Sequence, residues 1–369
     1  MNQLFRWDQM GLFLLALAAG ILPFAVPEVC AAALREGLTL CSGPLLLSLF
    51  PFLVVSRLLI QCPESDLLAL PFRLAAWGIG IRTPCAARVL CIGFLGGFAP
   101  AASAAAQAVR TGQLTAEEAD ALLPACICSG PSFVVLTVGQ SLLGSAELGV
   151  LLFASQITAN YLTAALLNRF AGVRSVKPGS AAPTSPAPPR LDEILADAAI
   201  TYCKLCGFIL FFRMLAAGAG ALLPAGAGTL CSILLEVCSG CDLASRTGRW
   251  GSLLCCAALS VQGLSVLLQV RTICPPEMTL RPLYRARMLH LPLSLALFYL
   301  LLPGGEADVF STLPARILLM RRVPPDCALL VFAVCCMAAS TLRSGIRQVE
   351  QKQMARNAGG CCINSKTLL

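Results

Sequence analysis

The sequence predicts an all-α fold: a polytopic membrane helix bundle of about eight to ten spans, with broken, re-entrant-like helices in two halves. Three observations predict it. Of 369 residues, 57% are hydrophobic and 12% charged, with mean hydropathy +0.79, whereas a soluble domain carries about 25% charged residues. A series of apolar stretches approaches the ~20 residues that a spanning helix needs. A Pro-rich segment then divides these stretches into two groups of comparable length.

In order, the apolar stretches fall near 9–31, 38–61, 67–81, 85–109, 125–143 and 146–170. After the divide they fall near 200–224, 227–243, 251–270, 288–303 and 326–342. The first, from Gly11 to Val29 behind Arg6, has a signal-peptide look, with small residues at Ala31–Ala33 for cleavage. With so many later spans it reads as an uncleaved first helix. The chain thus divides into a first membrane half (1–171), a linker (172–190), a second membrane half (191–305) and a C-terminal span with a basic tail (306–369).

The linker contains Pro178-Gly179-Ser180 and Pro183 to Pro189, a composition that cannot bury a core and stays extended. After it, Leu191, Ile194, Leu195, Ala198 and Ala199 recur at helical spacing among Asp192, Glu193 and Asp197. That pattern reads as an amphipathic interfacial helix. In the first half, Thr115-Ala116-Glu117-Glu118 has the capping-box pattern and starts a helix running toward Leu123, with Glu117, Glu118 and Asp120 as its solvated start.

Three interruptions break the apolar runs, and one apolar helix carries a polar face. Gly97 and Pro100 precede the all-small run Ala101 to Ala106, which reads as a helix-packing surface. Ser129-Gly130-Pro131 removes a backbone donor and frees carbonyls near Cys126 and Ile127, either at a site or at an ordinary proline kink. Glu236 stands in Leu235-Glu236-Val237-Cys238-Ser239-Gly240-Cys241. A carboxylate costs several kcal/mol at bilayer depth and faces a cavity, partner or substrate; the other reading is a polar turn at the membrane edge. Gln262, Ser265 and Gln269 lie three and four apart, hence on one helix face. That face lines a cavity or hydrogen-bonds a neighbouring helix.

Net charge is +8. Basic residues collect in connections: Arg169, Arg174, Lys177 and Arg190; Arg281, Arg285 and Arg287; Arg316, Arg321 and Arg322; and the tail from Arg343. By the positive-inside rule these are cytoplasmic and set topology. No soluble basic domain exists to bind nucleic acid. The 20 cysteines lie mostly in apolar stretches, where Cys is a small apolar residue. With a single histidine the Cys-x-x-Cys pairs Cys203/Cys206 and Cys238/Cys241 make no metal centre. Cys361-Cys362 reads as a site of acylation or as plain tail. No cofactor or catalytic set is expected, because one histidine and no paired intramembrane acids leave little to build an enzyme from.

The order of these motifs resembles the YlbJ-type sporulation integral membrane proteins, which carry the nucleoside recognition (Gate) domain. The resemblance runs from about Gly37 to Leu302. It includes Gly37-Leu38-Thr39, Phe50-Pro51-Phe52, Gly97-Phe98, Leu114-Thr115-x-x-Glu118, Ser129-Gly130-Pro131-x-Phe133, Gly149, Asn160 and Gly207-Phe208-Ile209. It continues through Leu235-Glu236 with Gly240, Gly263-Leu264-Ser265-Val266 with Gln269, and Arg287-Met288-Leu289-His290. The family's Lys near the first break is Ser103 here, and its Asn before the Ser-x-Pro break is Cys126 or Cys128.

The resemblance implies a multi-pass cell-membrane protein needed in endospore formation, sharing its domain name with concentrative nucleoside transporters. On that basis the expected function is moving or sensing a small solute, nucleoside-like or an ion. Glu236, Ser239, Gln262, Ser265, Gln269 and Ser129 are the expected binding residues, and Gly97, Pro100, Gly130, Pro131 and Gly240 the helix breaks. The alternative is a non-transporting scaffold for spore coat or cortex assembly. Expected partners are the lipid bilayer, further copies of the chain or other sporulation membrane proteins.

Overall fold

The computed structural model describes residues 2–61, 63–171 and 190–302. The linker residues 172–189 and everything from 303 onward, including the expected last span, the basic tail and Cys361-Cys362, lie outside the described residues. Among the described residues the chain is helical throughout and contains no strand. The α-helices are α1 (Asn2–Ala25), α2 (Pro27–Ser42), α3 (Pro44–Gln61), α4 (Leu70–Gly78), α5 (Pro84–Gly96), α6 (Phe98–Arg110) and α7 (Ala116–Cys126). A wide π-type helix (Ser132–Leu142) follows. Then come α8 (Ala146–Ala171), α9 (Leu191–Leu222), α10 (Ala225–Leu235), α11 (Val237–Ser245), α12 (Gly251–Val261), α13 (Gly263–Ile273) and α14 (Arg281–Leu301).

Among the described residues three stretches are long and apolar enough to cross a membrane: α8, α9 and Gly248–Ile273, which contains α12 and α13. The pair Phe13–Ala25 and Pro27–Ser42, bent by 110°, makes up to four. The described residues are therefore those of an all-helical membrane protein, with fewer unbroken crossings among them than the apolar runs led one to expect. The reason is visible in the backbone. Several runs that read as single spans are cut into pieces such as Pro84–Gly96 and Ala225–Leu235, too short to cross alone at 1.5 Å per residue.

The largest buried cluster centres on α5, α6, α7, α8, α12 and α13. Helix α6 lies at its heart: Ala99 to Ala106 are all buried, so their small side chains allow close approach on every side. A second cluster joins α3 to α9 through Leu53, Leu205 and Ile209. The amphipathic stretch after the linker is the first part of the 32-residue α9 rather than a separate interfacial helix. Its Asp197 pairs with Arg57 of α3 at 2.6 Å.

The capping box forms as expected. Thr115 Oγ1 accepts from the Glu118 amide and Glu118 Oε2 accepts from the Thr115 amide, at 3.1 and 3.2 Å. Of the acids behind it, Glu117 is exposed as a solvated start, but Glu118 and Asp120 are not. Glu118 is buried and accepts from Thr83 Oγ1 at 2.6 Å. Asp120, also buried, accepts from the Thr279 amide and hydroxyl and the Leu280 amide. It thereby fixes the entry to α14, where Leu280 has a left-handed φ of 56°.

Candidate functional site

Two pairs of short helices fold back on themselves as hairpins. In α5–α6 the turn is Gly97, with φ 81°. A Cβ on Gly93, one turn before it, would lie 3.1 Å from that of Ala101, one turn after. In α10–α11 the turn is Glu236, extended at φ −151°. A Cβ on Gly240 would come within 2.8 Å of the Ile233 Cα. Gly240 thus lies inside α11 and lets it press on α10, and the break expected there occurs at Glu236. Pro100 likewise sits in the first turn of α6, where its missing amide has no helical partner to lose.

Two further helices are interrupted along their length. Between α7 and the π-helix the chain is extended at Ile127, φ −84° and ψ 96°, and Pro131 caps the next turn. Between α12 and α13, Gln262 adopts φ 62° and Gly263 φ 70°. Non-glycine residues rarely hold a left-handed φ, and where they do the surroundings enforce it.

Each hairpin tip is seated on one of these interruptions, backbone to backbone. A Cβ on Gly97 would lie 2.7 Å from the Gly130 nitrogen, and one on Gly263 would lie 2.9 Å from the Glu236 nitrogen. The interruptions also meet each other, since Gln262 Nε2 reaches the Ile127 carbonyl at 3.5 Å. Four breaks in the chain, at 97, 127–130, 236 and 262–263, therefore converge on one region.

Glu236 is 2% exposed. Its carboxylate turns back onto α11, accepting from the Cys238 amide (2.8 Å), the Ser239 amide (2.7 Å) and the Ser239 hydroxyl (2.8 Å). It thus satisfies two of the amides that every helix start leaves open, at the positive end of the helix dipole. Arg213 of α9 lies within its electrostatic reach and pairs with Glu36 of α2 at 2.7 Å. Beside these groups a cavity of about 360 Å³ opens between α2, α9, α10 and α11, lined by Glu36, Arg213, Ser232, Ser239 and Asp242 among others. That volume falls at the lower end of the ~300–1,000 Å³ typical of small-molecule sites.

The other expected binding residues are divided. Ser239 is the only one of them that lines the cavity. Ser265 accepts from Gln269 Nε2 at 2.8 Å, so these two stay together on α13. Gln262 leaves their face, because the helix that was to carry all three breaks at Gln262 itself. Its Oε1 and that of Gln269 are buried without a partner. Ser129 is buried next to the Gly97 tip, beside Gly130.

A second polar region surrounds the Ile127 carbonyl. Arg287 of α14 is 7% exposed and donates to the Ile127 carbonyl (2.8 Å), the Ser260 carbonyl (3.3 Å) and Asn160 Oδ1 (3.4 Å). Gln156 of α8 donates to Ser260 Oγ at 2.9 Å, and its carbonyl meets His290 Nε2 at 3.2 Å. Ser294 closes the column by a hydroxyl contact with Ser260. Arg287 is thus no connection residue, unlike its exposed neighbours Arg281 and Arg285. The sequence did carry a signal: Arg287, His290 and Ser294 recur three and four apart on one face of an apolar helix.

Among the described residues no group of three or more His, Cys, Asp or Glu side chains is placed to hold a metal ion. Instead, the arrangement offers main-chain oxygens, amide side chains and two buried charges at the ends of short helices. No family model, curated protein or solved structure matches the chain.

Proposed function

We propose that this membrane protein moves or senses a small polar solute through the region where its four helix breaks converge. The observation that carries this reading is the repetition of one unit in chain order. A helical hairpin with its tip at Gly97 is seated on the interruption at Gly130, and a second, with its tip at Glu236, is seated on the interruption at Gly263. Broken helices at membrane depth leave backbone groups free and are tolerated where they line a cavity or meet protein. Paired broken segments in corresponding positions of two halves point to a transporter's binding site. The repetition supports two membrane halves around 172–190.

The same unit supports the resemblance to YlbJ-type Gate-domain proteins and, through it, a role in endospore formation at the cell membrane. In this reading Glu236 holds the α11 tip and, with Arg213 and Ser239, faces the solute; Ser129, Gln262, Ser265 and Gln269 belong to the same path. The cavity between α2, α9, α10 and α11, with both signs of charge on its walls, suits a compact polar solute.

Proteoliposome uptake of a panel of labelled nucleosides and small zwitterions, with heat-resistant spore counts in the source organism, tests the reading. Wild-type protein should carry at least one of the panel. Glu236→Gln, at normal protein level, should lower flux and spore count together. A spore defect with no flux by the wild type across the panel would favour the scaffold. Unchanged flux and unchanged spores would remove Glu236 from the path.

A further inference from the structure

Arg287 is a buried cation whose partners are all uncharged. Elsewhere among the described residues the buried or half-buried arginines have carboxylates: Arg57 has Asp197, Arg88 has Asp66 and Arg213 has Glu36. Arg287 has none; its Nη atoms donate to two main-chain carbonyls and one amide oxygen, and its Nε has no partner. A buried guanidinium without a counter-charge is costly unless something supplies negative potential.

The two carbonyls supply it by their position. Ile127 is the residue at which α7 ends, and Ser260 lies in the last turn of α12. The final carbonyls of a helix have no partner within it and carry the negative end of its dipole. Asn160 Nδ2 and Gln262 Nε2 also donate to the Ile127 oxygen, each at 3.5 Å, so the Arg287 contact at 2.8 Å is the shortest of the three. Arg287 therefore sits where the carboxyl ends of two short helices from opposite parts of the chain meet. In broken-helix transporters, sites of this composition, main-chain carbonyls plus a side-chain oxygen at half-helix ends, hold a coupling cation.

We propose that Arg287 is a tethered cation. Its guanidinium fills the place between the α7 and α12 carboxyl ends that an alkali ion would otherwise take, so the protein needs no bound alkali ion there. Removing the side chain leaves the Ile127 and Ser260 carbonyls and Asn160 Oδ1 facing an empty space, three oxygens of the kind a hard cation takes as ligands. This inference deepens the solute-path reading by stating which ion the path does not need, but it stands on binding alone and is tested without measuring flux.

The test is thermal unfolding of the purified, detergent-solubilised full chain in LiCl, NaCl, KCl and choline chloride at equal ionic strength. The wild type should unfold at the same temperature in all four, within about 1 °C. Arg287→Ala should unfold markedly lower in choline and recover by roughly 5 °C or more in one of the alkali salts. Arg287→Lys, which keeps a charge on a flexible stem, should retain most of the wild-type temperature in choline and gain little from alkali ions. The proposal is overturned if an alkali ion stabilises the wild type. It is equally overturned if Arg287→Ala loses nothing in choline, or if no alkali ion rescues it. Should Arg287→Ala give no folded protein in choline, it must be obtained in an alkali salt; failure in all four salts counts against the proposal.

Discussion

Glu236 and Arg287 are both buried in apolar surroundings, and helix ends hold them in opposite senses. The carboxylate sits on the amino end of α11 and takes two main-chain amides and a hydroxyl. The guanidinium sits on the carboxyl ends of α7 and α12 and gives its protons to their carbonyls. Neither forms an ion pair within 4 Å among the described residues. Glu236 has a cavity with Arg213 beside its helix, whereas Arg287, on α14, is enclosed by α8, α12 and the end of α7 through Asn160, Ser260 and Ile127. The difference shows what a broken helix supplies inside a membrane. Each break creates free amides on one side and free carbonyls on the other, and a charge of the matching sign stabilises that end while the end offsets its burial. Charge and break need each other: an unbroken helix would leave Glu236 unsatisfied, and a break without Arg287 would leave the Ile127 carbonyl with only the two 3.5 Å amide contacts of Asn160 and Gln262.

Closing the backbone contact behind Glu236 should have the largest effect. Gly263→Ala adds a left-handed φ that costs about 1–2 kcal/mol in an L-residue. It also places a Cβ 2.9 Å from the Glu236 nitrogen and the Leu235 carbonyl, an overpacking worth a further ~1–3 kcal/mol. Gly97→Ala meets the same two penalties against Gly130. Unfolding temperature in detergent should fall for both, while Gly207→Ala, on an open helix face with nothing within 4 Å of the added Cβ, should match or exceed the wild type. If all three behave alike, the breaks are not seated on one another.

A smaller effect separates the cap from the solute contact. Glu236→Ala should lower stability by about 0.5–2 kcal/mol, the usual range for a lost helix cap. Glu236→Asp, a preferred capping residue, should recover most of that loss while still impairing flux, because its carboxylate is one methylene shorter. Recovery of both stability and flux by Asp would mean that Glu236 only caps; recovery of neither would mean that the cap is not what holds it. Unfolding and uptake measured on the same preparations decide between these outcomes.

Much of the fold was legible because its signals are local. The Thr115–Glu118 cap is a four-residue pattern whose partners are neighbours in sequence, and Gly97 marks a break because glycine there permits what other residues resist. Glu236 could be read as special from its cost alone. Its first partner, the amino end of α11, was hidden because the expected break was Gly240, four residues along. The straight helix assumed through Gln262, Ser265 and Gln269 failed for a tertiary reason: the Glu236 tip presses on Gly263, and the chain turns left-handed to admit it. What could not be read were contacts across long separations. Asp120 caps residues 159 and 160 positions away, and Arg287 reaches Ile127 across 160. Hydropathy gave Arg287 a loop because it counts charge and cannot see a helix end.

Exchanging the two charges tests most directly whether helix ends, rather than each other, hold them. Glu236→Arg, Arg287→Glu and the double exchange would be compared by folded yield on size exclusion and by unfolding temperature. Each single reversal sets a like charge against a helix end and should cost more than about 3 kcal/mol. The double exchange should be no more stable than the worse single variant, because both helix ends still oppose the new charge. Recovery of the double exchange toward wild-type stability would contradict this and show that Glu236 and Arg287 hold one another.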